Sequence, residues 1–279
     1  MADQGTERDA LHRMQDIVYQ MLCDIDDYCR EQNIPYFLSG GTCLGAVRHH
    51  DFIPWDDDGD IMLPRKEYYR FMDGFAQRYE GKYAVGALHM DPKWNRQWGK
   101  IWDPATKIEY MNYPDRTLGV FVDVYPIDGM PKSRRRQKAI YKAQKVLVDL
   151  IRDCLRTDIH PKVRHKPLRR FIRRFTRKIG AHFLADKIDW LARRYDFDTS
   201  EYVACSVPVH YGPRETIARE HMASAVTVRF RDRMLPVPVG YDTYLTNLYG
   251  DYMTPPPDAS ADNRTHSENW VVTFGAARE

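Results

Sequence analysis

The sequence predicts an α+β protein, a mixed β-sheet core with flanking helices and a basic helical insertion. Apolar residues recur at helical spacing in the first thirty positions and again beyond Pro131, while the stretches between and after are short β-type runs bounded by Gly and Pro. Charge divides just as sharply. Residues 132–178 hold 18 Lys and Arg against three Asp, a net +15 in a chain whose total is +3, so the remainder is acidic at −12. With 279 residues, 43% of them apolar, the chain can bury a substantial core. The expected organisation is a core over 1–131, the basic insertion over 132–198 and a return to the core over 199–279.

Leu11, Met14, Ile17, Val18, Met21, Leu22, Ile25 and Tyr28 predict an amphipathic helix over 7–31, ended before Pro35. Tyr36-Phe37-Leu38 reads as a short buried strand running into Ser39-Gly40-Gly41, with Thr42 placed to cap a helix over 43–49. Residues 56–64 read as a strand entered through acidic residues, and 65–79 as a helix. Strand-like runs follow at 83–88, 97–102, 106–110 and 120–125, the last closed by Pro126. Helical periods occupy 133–156, 165–179 and 181–195, separated by Pro161, Pro167 and Gly180. A β pattern returns at 202–207 and 225–239, where Asp232-Arg233 suits a hairpin turn, before a helix over 241–249 and a polar tail beyond Pro257.

No run of eighteen apolar residues occurs, and the first ten residues are polar, so neither a membrane span nor a signal segment is expected. The five cysteines (Cys23, Cys29, Cys43, Cys154, Cys205) are odd in number and lack metal-knuckle spacing, which argues against a disulfide framework or a zinc site and for a reducing, cytoplasmic setting.

Chemistry concentrates in Asp56-Asp57-Asp58-Gly59-Asp60, just downstream of Gly40-Gly41. Four carboxylates within five residues repel one another unless a cation neutralises them. Oxygen-only ligands favour Mg2+, with Mn2+ the second choice, and such a site handles phosphate well. An isolated acidic string is as often a solvated loop. Here it opens the apolar run Ile61-Met62-Leu63, follows a Gly-Gly turn into a helix whose N-terminus can hold phosphate, and has a partner in Asp123, which interrupts a second apolar strand. In an extended chain Asp56, Asp58 and Asp60 share one face and Asp57 turns away. The expected roles are metal binding and catalysis for Asp58, Asp60 and Asp123, and substrate binding for Gly40, Gly41, Thr42 and Asp56, with Arg48 and Lys100 as phosphate clamps.

The run Gly41-Thr42-Cys43-Leu44-Gly45-Ala46-Val47-Arg48-His49, followed by Phe52-Ile53-Pro54-Trp55-Asp56-Asp57-Asp58, resembles the LicD family of phosphorylcholine transferases. Lys100-Ile101 with Asp103 and Thr106, Val122 to Asp128, and Leu248 to Met253 with Pro256-Pro257 look like its later blocks. The resemblance implies a nucleotidyltransferase fold and transfer of a phospho-alcohol, typically phosphocholine from CDP-choline, to a cell-surface glycan or its lipid-linked precursor. Related fukutin-type enzymes imply ribitol phosphate from CDP-ribitol, and CDP-glycerol is a further donor of the same kind. The family's metal-binding aspartates carry over onto Asp58 and Asp60 and the third superfamily carboxylate onto Asp123, whereas Gly59 departs from the apolar residue usual between the aspartates. Choline recognition calls for aromatic faces, for which Trp55, Trp94, Trp98, Trp102, Tyr110, Tyr113 and Phe121 supply material. Competing readings are a D-x-D nucleotide-sugar glycosyltransferase, an RNA-directed nucleotidyltransferase and a non-catalytic descendant. His266 in the tail reads as surface.

In the basic insertion Ile140, Val146, Leu147, Leu150, Ile151, Leu155, Leu168, Phe171, Ile172, Phe175 and Ile179 interleave with Lys and Arg at helical spacing. Such helices bury one side and offer cations on the other, which suits anionic headgroups at the inner face of a membrane better than nucleic acid.

Overall fold

The computed structural model describes residues 4–110, 118–155, 166–255 and 270–275. Helix α1 (Gln4–Gln32) buries Met14, Val18, Met21, Leu22, Ile25 and Cys29, the stripe its sequence spells out. There follow β1 (Phe37–Leu38), α2 (Gly40–His49), β2 (Gly59–Pro64), α3 (Arg65–Arg78), β3 (Ala84–Gly86), β4 (Gly99–Trp102), β5 (Thr106–Tyr110) and β6 (Phe121–Met130). Helices α4 (Arg134–Leu155), α5 (Lys166–Ile179) and α6 (Ala181–Ala192) come next. The chain then forms β7 (Tyr202–Ala204), β8 (Ile217–Ala218), the hairpin β9 (Ala225–Phe230) and β10 (Arg233–Pro238), α7 (Tyr241–Tyr249) and β11 (Trp270–Phe274). The α+β class and the mixed sheet expected from the sequence are what the chain forms.

The main sheet runs β1-β2-β6-β4-β3, with β7 on β6 and β8 on β7. Only β2 and β6 pair in parallel within it; the remaining pairs are antiparallel. Pro126 does not close β6, contrary to expectation. It lies between the end of the β4 ladder at Val124 and the start of the β7 ladder at Asp128, so its missing N–H breaks neither of them. The tail is not simply polar, since β11 pairs antiparallel with β5.

Helices α4 and α6 enclose a second apolar cluster of Ile151, Leu155, Leu184, Ala185 and Ile188, closed by Val207. A buried ion network ties it to the core. Arg65, at the start of α3, contacts Asp128 of β6 at 2.5 Å and Asp189 of α6 at 2.7 Å, and Arg193 reaches Asp189 at 3.1 Å.

Candidate active site

Strand register builds the site. Asp60 on β2 stands beside Asp123 on β6, and Asp123 stands beside Lys100 on β4, so three neighbouring strands present carboxylate, carboxylate and ammonium in one row. The Lys100 Nζ lies 2.6 Å from an Asp123 carboxylate oxygen and 3.1 Å from the centre of the Phe121 ring. Two residues along β6 on the same face, the Tyr125 hydroxyl donates to the other Asp123 oxygen at 3.2 Å. Asp58 arrives from the segment before β2: carboxylate oxygens of Asp58, Asp60 and Asp123 all lie within 4.8 Å of one another, and those of Asp56, Asp57 and Asp58 form a second such group.

The electrostatics match that crowding. Burial first, then Asp58, Asp123 and Asp56, push the Asp60 carboxyl well above the usual carboxylate range, against a smaller opposing pull from Lys100. Asp56 is raised in the same way by burial, Asp58 and Asp57. Burial brings Lys100 down to about 8, opposed by Asp123. The Asp60 Oδ1 atom is sealed from solvent and has no hydrogen-bond partner among the described residues. A buried acceptor of that kind normally has a partner; an oxygen-only cluster with a spare buried acceptor is a donor set that fits a hard divalent cation.

Gly40 and Gly41 make room for these carboxylates. A Cβ on Gly41 would come within 2.8 Å of the Asp56 carboxylate, and one on Gly40, whose φ is +48°, within 3.2 Å of that of Asp60. Both glycines begin α2, so the positive end of its dipole faces the acidic cluster. The Gly40 N–H donates to the Tyr244 hydroxyl at 3.3 Å. Thr42 is not the helix cap: Ser39 holds that position, and the Thr42 hydroxyl accepts from the Asp60 N–H at 2.8 Å, anchoring the start of β2.

Arg48 sits at the far end of α2, where it donates to the Tyr252 carbonyl at 2.7 Å and to His49 at 2.9 Å, bracing the chain after α7. Lys100 stands in the site but engages Asp123. The expected outward turn of Asp57 does not occur. Strand β2 begins only at Gly59, so alternation does not govern residues 56–58, and Asp57 is 7% exposed with its carboxylate close to those of Asp56 and Asp58.

The rings also separate. Trp94 is buried and stacks on Trp102, centroids 6.0 Å apart, whereas Trp98 leans on Tyr125 at 5.5 Å. Trp55 packs half-buried against the core; the Tyr110 side chain, Tyr113 and His266 lie outside the described residues. Tyr125, Tyr211 and Tyr249 escaped sequence reasoning. Tyr211 donates to the Tyr249 hydroxyl at 3.0 Å, and that hydroxyl lies 3.8 Å from the Cβ position of Gly40. Tyr125 had a readable signal, two residues from Asp123 on one strand; Tyr211 and Tyr249 had none.

Residues 33–151 match the family described as "LicD/FKTN/FKRP, nucleotidyltransferase domain". Over that stretch the chain is similar to a LicD-type domain. It is also 28% identical over 258 residues to the lipopolysaccharide cholinephosphotransferase LicD of Haemophilus influenzae, covering 88% of this chain and 94% of that protein. Two uncharacterised rickettsial proteins share shorter segments. One, from Rickettsia typhi, is 41% identical over 68 residues, 24% of this chain and 22% of its own; the other, from Rickettsia prowazekii, is 33% identical over 76 residues, 24% and 29%. The LicD match spans α2, β2, β4 and β6, the elements that carry the aspartates and Lys100.

Proposed function

We propose that this protein transfers phosphocholine from a CDP-activated donor to a hydroxyl of a cell-surface glycan or its lipid-linked precursor, using Mg2+. The observation that carries the reading is the meeting of Asp58, Asp60 and Asp123 within 4.8 Å, in a domain whose Haemophilus relative is named a lipopolysaccharide cholinephosphotransferase. Those three carboxylates would hold the cation, which supplies charge neutralisation to the donor's phosphates. Asp56 and Asp57 add negative charge beside Asp58, a second place for a cation or for its water.

Lys100 and Tyr125 hold Asp123 in one orientation, a positioning role. Gly40 and Gly41 keep the approach to the carboxylates open. The Trp98–Tyr125 and Tyr211–Tyr249 pairs put aromatic rings beside the cluster, the kind of side chain that a quaternary ammonium favours. A divalent-cation site of this kind serves CDP-ribitol or CDP-glycerol equally, so the aromatic surround is what favours choline.

Incubation with CDP-choline, CDP-ribitol, CDP-glycerol, CTP and UDP-sugars in Mg2+, scored by mass spectrometry for CMP release, tests the reading. CMP from CDP-choline ahead of the others is the expected result. Turnover of a UDP-sugar or CTP alone, or no turnover of any CDP-alcohol, would overturn it.

A further inference from the structure

We propose that α5 and α6 form a docking surface for bilayers rich in anionic phospholipid, with Phe171 and Phe175 entering the boundary between headgroups and acyl chains. Helix α5 carries seven Lys and Arg and no acidic residue over its fourteen positions. Its inward side is shown by Thr176, 2% exposed, with Ile172 and Ile179 partly covered. Beside that inward side Phe171 and Phe175 are 69% and 59% exposed. At 100° per residue Arg174, Lys178, Phe171 and Phe175 fall within one arc of about 100°, two cations followed by two rings.

Helix α6 repeats the arrangement. Phe183 and Trp190, seven residues apart and so on one face, are both about half exposed, with the Lys187 ammonium 4.7 Å from the Phe183 ring and the Arg194 guanidinium 4.7 Å from the Trp190 ring. Its one opposing charge on that side, Asp186, pairs with Lys187 at 3.0 Å. Among side chains the structure describes, these four are the exposed Phe and Trp residues; every other described Phe or Trp is buried or half-buried.

A merely solvated helix face explains the cations but not the rings, because large aromatics left in water forfeit their burial. A nucleic-acid groove explains the cations and could stack one ring, yet pairs of exposed rings set beside cations along a helix face are the pattern of interfacial helices. Anionic headgroups meet the Lys and Arg, and the acyl boundary covers Phe171 and Phe175. Helix α6 also touches the loop beside the carboxylates: His182 meets the Trp94 carbonyl at 2.7 Å, and Trp98 of the same loop leans on Tyr125. The inference stands without the donor reading, since neither the rings nor the cations belong to the carboxylate site.

The test is co-sedimentation of the full chain with phosphatidylcholine vesicles and with vesicles containing phosphatidylglycerol, at roughly 0.1 M salt. Binding to the anionic vesicles is expected, lost on raising the salt severalfold. Phe171→Ser with Phe175→Ser should weaken it by about tenfold or more, and Arg174→Glu with Lys178→Glu should weaken it as well. All four side chains are exposed, so circular dichroism and melting temperature should stay at wild-type values in both variants. Equal binding to neutral and anionic vesicles, indifference to the loss of both phenylalanines, or capture of an RNA oligonucleotide with no binding to vesicles would each overturn the proposal. Vesicle binding is read without turnover, so its failure leaves the transferase reading standing.

Discussion

Asp60→Asn preserves the shape of the side chain and removes one charge from the crowded row. Carboxylate oxygens of Asp58 and Asp123 lie within 4.8 Å of those of Asp60. Two like charges at that distance repel by about 3.5 kcal/mol at an effective dielectric of about 20. Two such neighbours are partly offset by Lys100, which lies against Asp123. The net relief expected from the substitution is about 2 kcal/mol, or a rise in melting temperature of about 4–8 °C for a chain of this size. Thermal unfolding in EDTA at pH 8 measures it. Added Mg2+ should then raise the wild type by about 2.7 kcal/mol at a hundredfold excess over Kd, and the variant by much less. A variant less stable than wild type in EDTA, or an equal Mg2+ response in both proteins, would refute the reasoning.

Glu215 is buried, its Oε2 has no hydrogen-bond partner among the described residues, and burial pushes its carboxyl up to about 8. A folded value above the unfolded one means stability that is present below about pH 4.5 and lost as pH rises through about 8. Glu215→Gln should therefore unfold like wild type near pH 4 and be more stable by a few kcal/mol above pH 8, as melting curves across pH would show; a difference unchanged with pH would be the wrong outcome. Arg65→Ala strands Asp128 and leaves Asp189 with Arg193 alone, and should cost about 3–5 kcal/mol in urea unfolding. Gly59→Val would drive a Cβ to within 2.6 Å of Val18 on α1 and should cost about 1–3 kcal/mol, visible as a lower urea midpoint.

What was legible in the sequence was what depends on local period. The α1 stripe, the hairpin before α7 and the three helices after Pro131 follow from spacing alone, and their boundaries fall close to those expected. Asp60 and Asp123 could be paired because each interrupts or opens an apolar strand. Their register with Lys100 could not, because a strand does not announce which neighbour it will take. Asp57 was misread for a related reason: alternation holds only inside a strand, and the acidic run ends where β2 begins. Thr42 looked like a cap because hydroxyls favour that position, yet the glycines ahead of it already turn the helix and free the hydroxyl for Asp60. Gly59, a departure from the family pattern, has its reason in the packing of Val18 and Leu22 against the start of β2. Glu215, Tyr211 and Tyr249 carry no such pattern, since the turn that holds the first two meets α7 only in the folded chain.

The most direct test follows labelled choline from CDP-choline into a glycan acceptor, for wild type, Asp57→Asn and Asp60→Asn, in Mg2+ and in EDTA. The account predicts transfer by the wild type in Mg2+, none in EDTA and none by Asp60→Asn. It predicts a loss of about 10–100-fold for Asp57→Asn, which supports Asp58 without belonging to the row with Asp123. Transfer that persists in EDTA, or that survives in Asp60→Asn, would contradict it.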